Sequence, residues 1–194
     1  LMRRAEIPRT TKETAIRLVL DLDGTGQSKV ATGIGFLDHM LATLARFARF
    51  DLELSCAGDL HIDDHHTAED CALALGQALD TALGPRKGIE RFAHAYAPLD
   101  EALARAVIDL SGRPYPKISL GFVRETLGTI ATENLTHFFQ SLAIAGRMAL
   151  HVEVLSGDND HHKAEAAFKA TALALRAAVK SDGSDVVPSE KGVL

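Results

Sequence analysis

The chain has 194 residues, of which 46% are hydrophobic and 24% are charged, so a disordered or collagen-like protein is excluded. Its formal net charge of −5 leaves no strongly basic face, which argues against nucleic-acid binding. No apolar run approaches the ~18 residues that a membrane-spanning helix needs, and residues 1–16 lack the apolar core of a secretory signal. Cys56 and Cys71 are too few for a disulfide framework. We therefore expect a cytoplasmic protein with no membrane or nucleic-acid partner.

Two successive parts of the chain show the same order of predicted elements. In residues 1–88, apolar periodicity and turn residues predict two strands, a helix, a strand and a helix, at 13–22, up to 32, 36–49, 51–58 and 65–83. In residues 89–194, the same order is predicted at 101–110, 117–122, 133–147, 149–157 and 161–180. The last residues, from 181 onward, are polar and turn-rich and are expected to form a tail.

This order predicts an α/β fold of the α+β sandwich type, built by internal duplication of a β-β-α-β-α half. The helices are expected to pack on mixed sheets, and the two halves to form one compact unit. Residue matches support the duplication, because a His-His-x-x-Glu cluster opens the second helix of each half and one further histidine lies on each first helix.

These repeated positions carry the residue types that bind transition metals. On a helix, the glutamate of each cluster lies one turn from both histidines, while the two adjacent histidines point about 100° apart. Adjacent histidines can therefore face different ions. Both halves together supply six imidazoles and two carboxylates: His39, His65, His66, Glu69, His137, His161, His162 and Glu165. Eight ligands divide into two sets of four, and four protein ligands on a six-coordinate ion leave open positions for catalysis.

The donor set narrows the choice of metal. It is rich in imidazole nitrogen, contains carboxylates and lacks thiolate, which suits Mn, Fe, Zn or Ni and disfavours calcium or an iron–sulfur cluster. The aspartates beside the clusters either accept hydrogen bonds from the imidazoles or cap the helices, and the spacing leaves both roles open for Asp38, Asp63, Asp64 and Asp160.

Several longer motifs resemble those of the imidazoleglycerol-phosphate dehydratase family. The resemblance runs from about Glu13 to Leu194 and rests on five segments: GIGFLDHM at 33–40, GDLHIDDHHTAEDCALALG at 58–76, RFAHAYAPLDEALARAVIDLSGRPY at 91–115, THFFQSLA at 136–143 and DNDHHKAEAAFKA at 158–170. It implies a lyase of histidine biosynthesis with two Mn²⁺ ions per active site. It also implies a large cytoplasmic homo-oligomer of twenty-four subunits, with its sites at subunit interfaces.

The resemblance assigns roles to individual residues. The family's metal ligands fall on the eight residues named above, so that Glu69 and Glu165 also belong to the catalytic group. Its acid/base carboxylate falls on Glu13, which would also contact the substrate. Its phosphate-binding residues fall on Arg91, Arg113, Ser189 and Lys191.

The chain departs from the family pattern near two of these sites. The family often has Gln at the position of Thr43 and His-Gly within residues 47–50, where this chain has Phe-Ala-Arg-Phe. Glu190 stands where the family's phosphate loop usually has Thr, and a carboxylate beside a phosphate is repulsive unless it points away.

The reaction that the resemblance implies is loss of water from imidazoleglycerol phosphate, giving imidazole-acetol phosphate. The proton to be removed lies on a carbon of low acidity. Two ions that bind the ring nitrogens can hold the ring as an imidazolate, which expels the hydroxyl and so acidifies the neighbouring C–H. Glu13 is then the expected proton-transfer group.

Two other functions are compatible with the ligand pattern. A dinuclear metallohydrolase would use a metal-bound hydroxide, although such sites commonly contain more carboxylates than these two. A non-catalytic storage or scaffold protein would have closed, saturated metal sites and no phosphate-binding residues.

Overall fold

The computed structural model describes residues 2–194 and begins with a four-stranded sheet that carries two helices. The elements of the first half are β1 Arg4–Thr10, β2 Thr14–Asp21, β3 Ser28–Ala31, α1 Gly35–Ala48, β4 Asp51–Gly58 and α2 His65–Leu83. The strand order is β1-β2-β4-β3, and β3 runs parallel to β4 while the other pairs are antiparallel.

The second half repeats this arrangement. Its elements are β5 Phe92–Leu99, β6 Ala102–Asp109, β7 Tyr115–Ser119, β8 Thr126–Leu127, β9 Ile130–Ala131, α3 Thr132–Ala145, β10 Ala149–Ser156 and α4 Asp160–Ala178. The order β5-β6-β10-β7 matches that of the first sheet, with β7 parallel to β10, and β8 and β9 form a separate short hairpin. The duplicated α/β fold with helices on mixed sheets is confirmed.

Each half begins with one strand more than the sequence predicts, so the repeat is β-β-β-α-β-α. The missed strand β1 is an edge strand, where Pro8 is tolerated because its nitrogen needs no ladder partner. The missed strand β5 turns Ala93, Ala95 and Ala97 inward. Small inward residues give a weak apolar alternation, which is why neither strand stands out in the sequence.

The helices lie between the two sheets. The helices α1 and α2 pack on the first sheet, and α3 and α4 pack on the second. Across the middle, α1 contacts α4 and α2 contacts α3. The first helix of each half therefore meets the second helix of the other half. None of the helices in residues 2–194 is long and apolar enough to cross a membrane.

One glycine sets the close approach of α2 and α3. A Cβ added at Gly76 would lie 2.7 Å from the Ala145 Cβ and 2.7 Å from the Gly146 nitrogen. The two backbones therefore touch at this point, which fixes the separation of the helices that carry His65, Glu69 and His137.

The C-terminal residues, expected to form a tail, pack back onto the start of the second half. Ser181 forms an isolated bridge with Ile89, and the Gly88 N–H donates to the Val186 carbonyl at 2.9 Å. The segment continues past β5 as far as Leu194, whose backbone lies beside Gly112.

Candidate metal centre and active site

The first cluster of metal-ligand type joins α1 to α4. His39 Nε2 and His161 Nε2 each lie 3.3 Å from Glu165 Oε2. These three residues each offer a ligand atom within 4.8 Å of the others. We call this set triad A. It contains one residue from the first half and two from the second.

The second cluster joins α2 to α3 and is the counterpart of the first. His137 Nε2 lies 2.9 Å from Glu69 Oε1, and the rings of His65 and His137 are stacked with centroids 4.9 Å apart. The ligand atoms of His65, Glu69 and His137 also lie within 4.8 Å of one another. We call this set triad B. The crossed helix pairing therefore builds two equivalent sites that neither half could form alone.

The two remaining histidines of the clusters lie outside both triads. His66 Nδ1 donates to Asp59 Oδ2 at 2.9 Å, and His162 Nδ1 donates to Glu101 Oε2 at 2.7 Å. With the Nδ1 proton held in this way, each Nε2 carries the lone pair that binds a metal. The adjacent histidines of each pair thus face different surroundings, as the helical spacing predicts.

The pKa values reflect these contacts. The hydrogen bond that His66 donates to Asp59 raises the pKa of His66, and the one that His162 donates to Glu101 raises the pKa of His162. The same His162 contact lowers the pKa of Glu101 to about 2. Burial raises the pKa of Glu165, but the Lys169 ammonium, 3.0 Å from Oε1, and His39 outweigh it and leave the pKa below its usual value. Glu101 and Glu165 are therefore ionised at neutral pH.

The aspartates beside the clusters, for which the spacing leaves an orienting and a capping role open, bond to groups other than imidazoles. Asp38 accepts from Thr32, and the backbone N–H groups that bond to Asp64 and Asp160 belong to the loop at 123–131. Only Asp63 acts as a cap, accepting the His65 N–H at 2.9 Å. The orienting role that the spacing leaves open for these aspartates is filled by Asp59, Glu101 and Asn134, the last of which bonds His65 Nδ1 at 3.0 Å. Asp59 lies seven residues before its partner, whereas Glu101 and Asn134 are too distant in sequence for any spacing signal to reveal them.

Glu13 lies at the edge of this histidine arrangement. Its Oε1 is 3.6 Å from His66 Nε2, and its side chain is 49% exposed. The position follows from the turn between β1 and β2, which brings Glu13 next to the start of α2. A half-exposed carboxylate beside a ligand-type histidine is well placed for proton transfer to a bound molecule.

The predicted phosphate-binding residues gather at a different place. Arg91 donates hydrogen bonds from Nε and Nη2 to the Asp109 carboxylate, at 2.8 and 3.2 Å. Its Nη1 donates to the Pro188 carbonyl at 2.7 Å. This contact brings the segment containing Ser189 and Lys191 to Arg91. The Leu110 N–H donates to the Arg91 carbonyl, so the loop containing Arg113 begins there as well.

The residues grouped around Arg91 are far from triad A of the same chain. The Arg91 N–H bonds the Ala178 carbonyl at the end of α4, whereas His161 and Glu165 lie near its beginning. The helix between them spans about 20–25 Å, which exceeds the reach of a small substrate. One chain therefore does not unite the Arg91 group with triad A.

The donor set of the triads fits a divalent transition metal. Each triad offers two imidazole nitrogens and a carboxylate, without thiolate, and the three ligand atoms converge within 4.8 Å. Three protein ligands leave positions for a fourth protein ligand and for a bound molecule. The residues able to hold such an ion are those of triads A and B, with His66 and His162 as further ligands.

Comparison with known proteins gives a consistent result. The family model for imidazoleglycerol-phosphate dehydratase matches residues 32–175. The chain is 56% identical to the imidazoleglycerol-phosphate dehydratase of Granulibacter bethesdensis, with both chains fully covered. It is 61% identical over 193 residues to that of Phytophthora nicotianae, and spans 43% of that longer protein. The crystal structure of the Pyrococcus furiosus enzyme in complex with (S)-C348 superimposes with a TM-score of 0.84 at 36% identity, covering 97% of this chain and 100% of the other. The chain therefore belongs to the imidazoleglycerol-phosphate dehydratase family, and is a carbon–oxygen lyase.

Proposed function

We propose that this dehydratase converts imidazoleglycerol phosphate to imidazole-acetol phosphate and water with two Mn²⁺ ions in each active site. The observation that carries the proposal is the assembly of two His-His-Glu triads across the two halves. Nitrogen-rich sites of this kind accept several divalent metals, and the proposal selects Mn²⁺ among them. The enzyme would act in the cytoplasm.

The fourth protein ligand of each ion would be His66 or His162. Their Nδ1 atoms are engaged by carboxylates, and their Nε2 atoms are not part of either triad of the same chain. Histidines that present a free Nε2 away from their own triad are suited to complete a triad on a neighbouring copy. The eight ligands then form the two sets of four that the sequence predicts.

Each group of residues has a distinct task in this reaction. When bound, the ions supply Lewis acidity toward the ring nitrogens of the substrate. Glu69 and Glu165 contribute negative ligand oxygens. Glu13 Oε1 accepts the proton from the carbon next to the one that loses its hydroxyl, and its half-exposed position lets the proton exchange with water afterwards.

The phosphate end of the substrate would be held by Arg91, Arg113, Ser189 and Lys191. Arginine forms paired hydrogen bonds with phosphate oxygens, and lysine acts as a point charge. Because Arg91 lies about 20–25 Å along α4 from triad A of its own chain, this group would serve the metal site of a neighbouring copy. A homo-oligomer, for which the resemblance implies twenty-four subunits, is thus part of the proposed active site.

The test is turnover of imidazoleglycerol phosphate by metal-stripped protein, with and without added Mn²⁺. We expect no turnover without metal and full recovery with Mn²⁺. His161→Ala, which removes one ligand of triad A, should retain the fold and lose metal and turnover together. Turnover that is equal with and without metal would contradict the proposed metal dependence, and failure to turn over in the metal-loaded state would contradict the proposed substrate.

A further inference from the structure

A basic pocket lies at the C-terminal ends of α1 and α4. It has a volume of about 450 Å³ and is lined by Gly24, Thr25, Arg46, Phe47, Arg49, Leu173 and Arg176. Three guanidinium groups therefore surround one cavity in a chain whose net charge is −5. The pocket includes the Phe-Ala-Arg-Phe segment at which the chain departs from the family pattern.

These three arginines have no partners among residues 2–194. None of Arg46, Arg49 and Arg176 forms a salt bridge there, and none donates a side-chain hydrogen bond. By contrast, Arg86 and Arg91 each form an ion pair and reach a backbone carbonyl. Each guanidinium has five N–H donors and all three side chains are exposed, so these donors are open to solvent or to a bound anion.

Acidic residues do not neutralise the pocket. No carboxylate lines it, and the neighbouring Asp51 uses its Oδ1 to accept the backbone N–H groups of residues 25–27. The end of α1 does not engage the arginines either. Its last carbonyls receive the backbone N–H groups of Arg49 and Phe50, at 3.4 and 3.1 Å, rather than guanidinium groups.

The backbone at Arg49 is left-handed, as it is at Arg147, which follows α3 in the second half. Arg49 ends α1 in the left-handed region, with φ of 59°. Glycine or asparagine normally occupies such a position, and another residue costs about 1 kcal/mol. The chain keeps an arginine there, which directs a third guanidinium to the pocket.

We propose that this pocket is a second anion site, which binds a compact tetrahedral dianion of the sulfate or phosphate-monoester class. The site is separate from Arg91, Arg113, Ser189 and Lys191. The bound anion bridges Arg46 and Arg49 on α1 to Arg176 on α4. Because α1 carries His39 and α4 carries His161 and Glu165, the anion stabilises the helix pair that holds triad A.

The test uses sulfate, which does not strip divalent metals from the enzyme. Sulfate binding to the metal-loaded oligomer is measured by titration calorimetry and by thermal unfolding, against sodium chloride at equal ionic strength. We expect saturable binding and a rise in Tm. Arg46→Gln, Arg176→Gln and Arg49→Asn should each weaken sulfate about tenfold, because each removes charge-assisted hydrogen bonds. Asparagine suits the left-handed backbone at position 49, so this variant keeps the fold.

Two controls separate this site from others. Arg17→Gln removes an arginine that lines another surface cavity but is paired with Glu6 at 3.1 Å, and it should bind sulfate as the wild type does. Arg113→Gln removes a proposed substrate-phosphate group and should also keep sulfate binding at the pocket. The proposal is overturned if sulfate acts no differently from chloride. It is also overturned if Arg49→Asn binds sulfate normally, or if Arg113→Gln alone abolishes binding.

Discussion

The histidines of the site differ in what their Nδ1 atoms contact, and this difference determines what each Nε2 can do. His65 bonds Asn134, which carries no charge, whereas His66 bonds the carboxylate of Asp59. A carboxylate partner fixes the tautomer and makes the opposite nitrogen a stronger metal ligand. The adjacent His65 and His66 therefore bond partners from different parts of the fold, which suits them to bind in separate sites.

The carboxylate of Asp59 should therefore control metal binding at a distance from the ion. Asp59→Asn leaves His66 in place but removes its charged acceptor, so we expect the affinity of one metal set to fall about 10–100-fold. Metal content during titration with a chelator measures the effect. Asp63→Asn is the matched control, since Asp63 accepts only the backbone N–H of His65. Equal metal retention in both variants would contradict the orienting role of Asp59.

Glu13 should affect turnover without affecting metal binding. Glu13→Gln preserves the size of the side chain but removes the proton acceptor, and we expect kcat to fall about 10²–10⁴-fold. Metal content should change little, because Glu13 belongs to neither triad. Glu53→Gln is the control, because Glu53 is an exposed residue of β4. A Glu13→Gln enzyme with normal kcat, or one that has lost its metal, would contradict the proton-transfer role.

At the scale of secondary-structure elements, the metal triads depend on how closely the helices of the two halves approach. The backbone contact at Gly76 sets this distance for α2 and α3, and hence for Glu69 and His137. An added methyl group would have to move one helix, which costs about 1–3 kcal/mol in a packed interior.

Gly76→Ala should therefore destabilise the protein although alanine favours helices. We expect the free energy of unfolding to fall by about 1–3 kcal/mol. Gly35→Ala, at the start of α1, is the control, because a Cβ there meets nothing within 4 Å. Denaturant unfolding of both variants measures the contrast. A Gly76→Ala protein as stable as Gly35→Ala would show that the helices separate without cost.

The loop between β2 and β3 depends on a single carboxylate. Asp51 Oδ1 accepts N–H groups from Thr25, Gly26 and Gln27, and these bonds, the one from Gln27 first, lower the pKa of Asp51 below its usual value. A lowered folded-state pKa means that the stabilisation is complete above the pKa of the unfolded chain, about 3.9. It is lost as the pH falls through the folded-state pKa.

Asp51→Ala should accordingly lower the free energy of unfolding by about 2 kcal/mol at neutral pH. The difference from the wild type should shrink as the pH falls below about 4, because the wild-type carboxylate becomes protonated. Denaturant unfolding at several pH values tests this, with Glu53→Ala on the same strand as control. A difference that stays constant down to pH 2 would show that the charge on Asp51 contributes nothing.

The sequence predicts much of this structure because its strongest signals are repeated. The two His-His-x-x-Glu clusters reveal the duplication and four of the six residues of triads A and B, and the dehydratase family membership excludes the metallohydrolase and the storage protein. The missed strands β1 and β5 carry a proline or small inward residues, which weaken the alternation. The partners of the histidines were missed because pairs such as Glu101 and His162 meet only through the folded chain.

At the scale of the whole molecule, the separation of the two kinds of site residue is the feature that supports the proposed homo-oligomer. His161 and Glu165 of triad A lie near the N-terminal end of α4, whereas Arg91 bonds Ala178 at its C-terminal end, about 20–25 Å away. A substrate that touches both must lie between chains. In the proposed assembly the active site is thus a property of the interface, and assembly and activity are coupled.

Two inactive variants should therefore restore activity to each other in mixed oligomers. His161→Ala lacks a metal ligand and Arg113→Gln lacks a phosphate group, so each homo-oligomer should be inactive. Suppose the two groups come from different chains and the variants co-assemble randomly in equal amounts. Both groups are then intact in about one quarter of the sites. Dissociating the two proteins, mixing them and reassembling them with Mn²⁺ should recover turnover near this fraction, whereas separately reassembled oligomers, combined only afterwards, serve as the control. If both groups came from the same chain, every site would carry a defect, and the mixed oligomers would remain inactive.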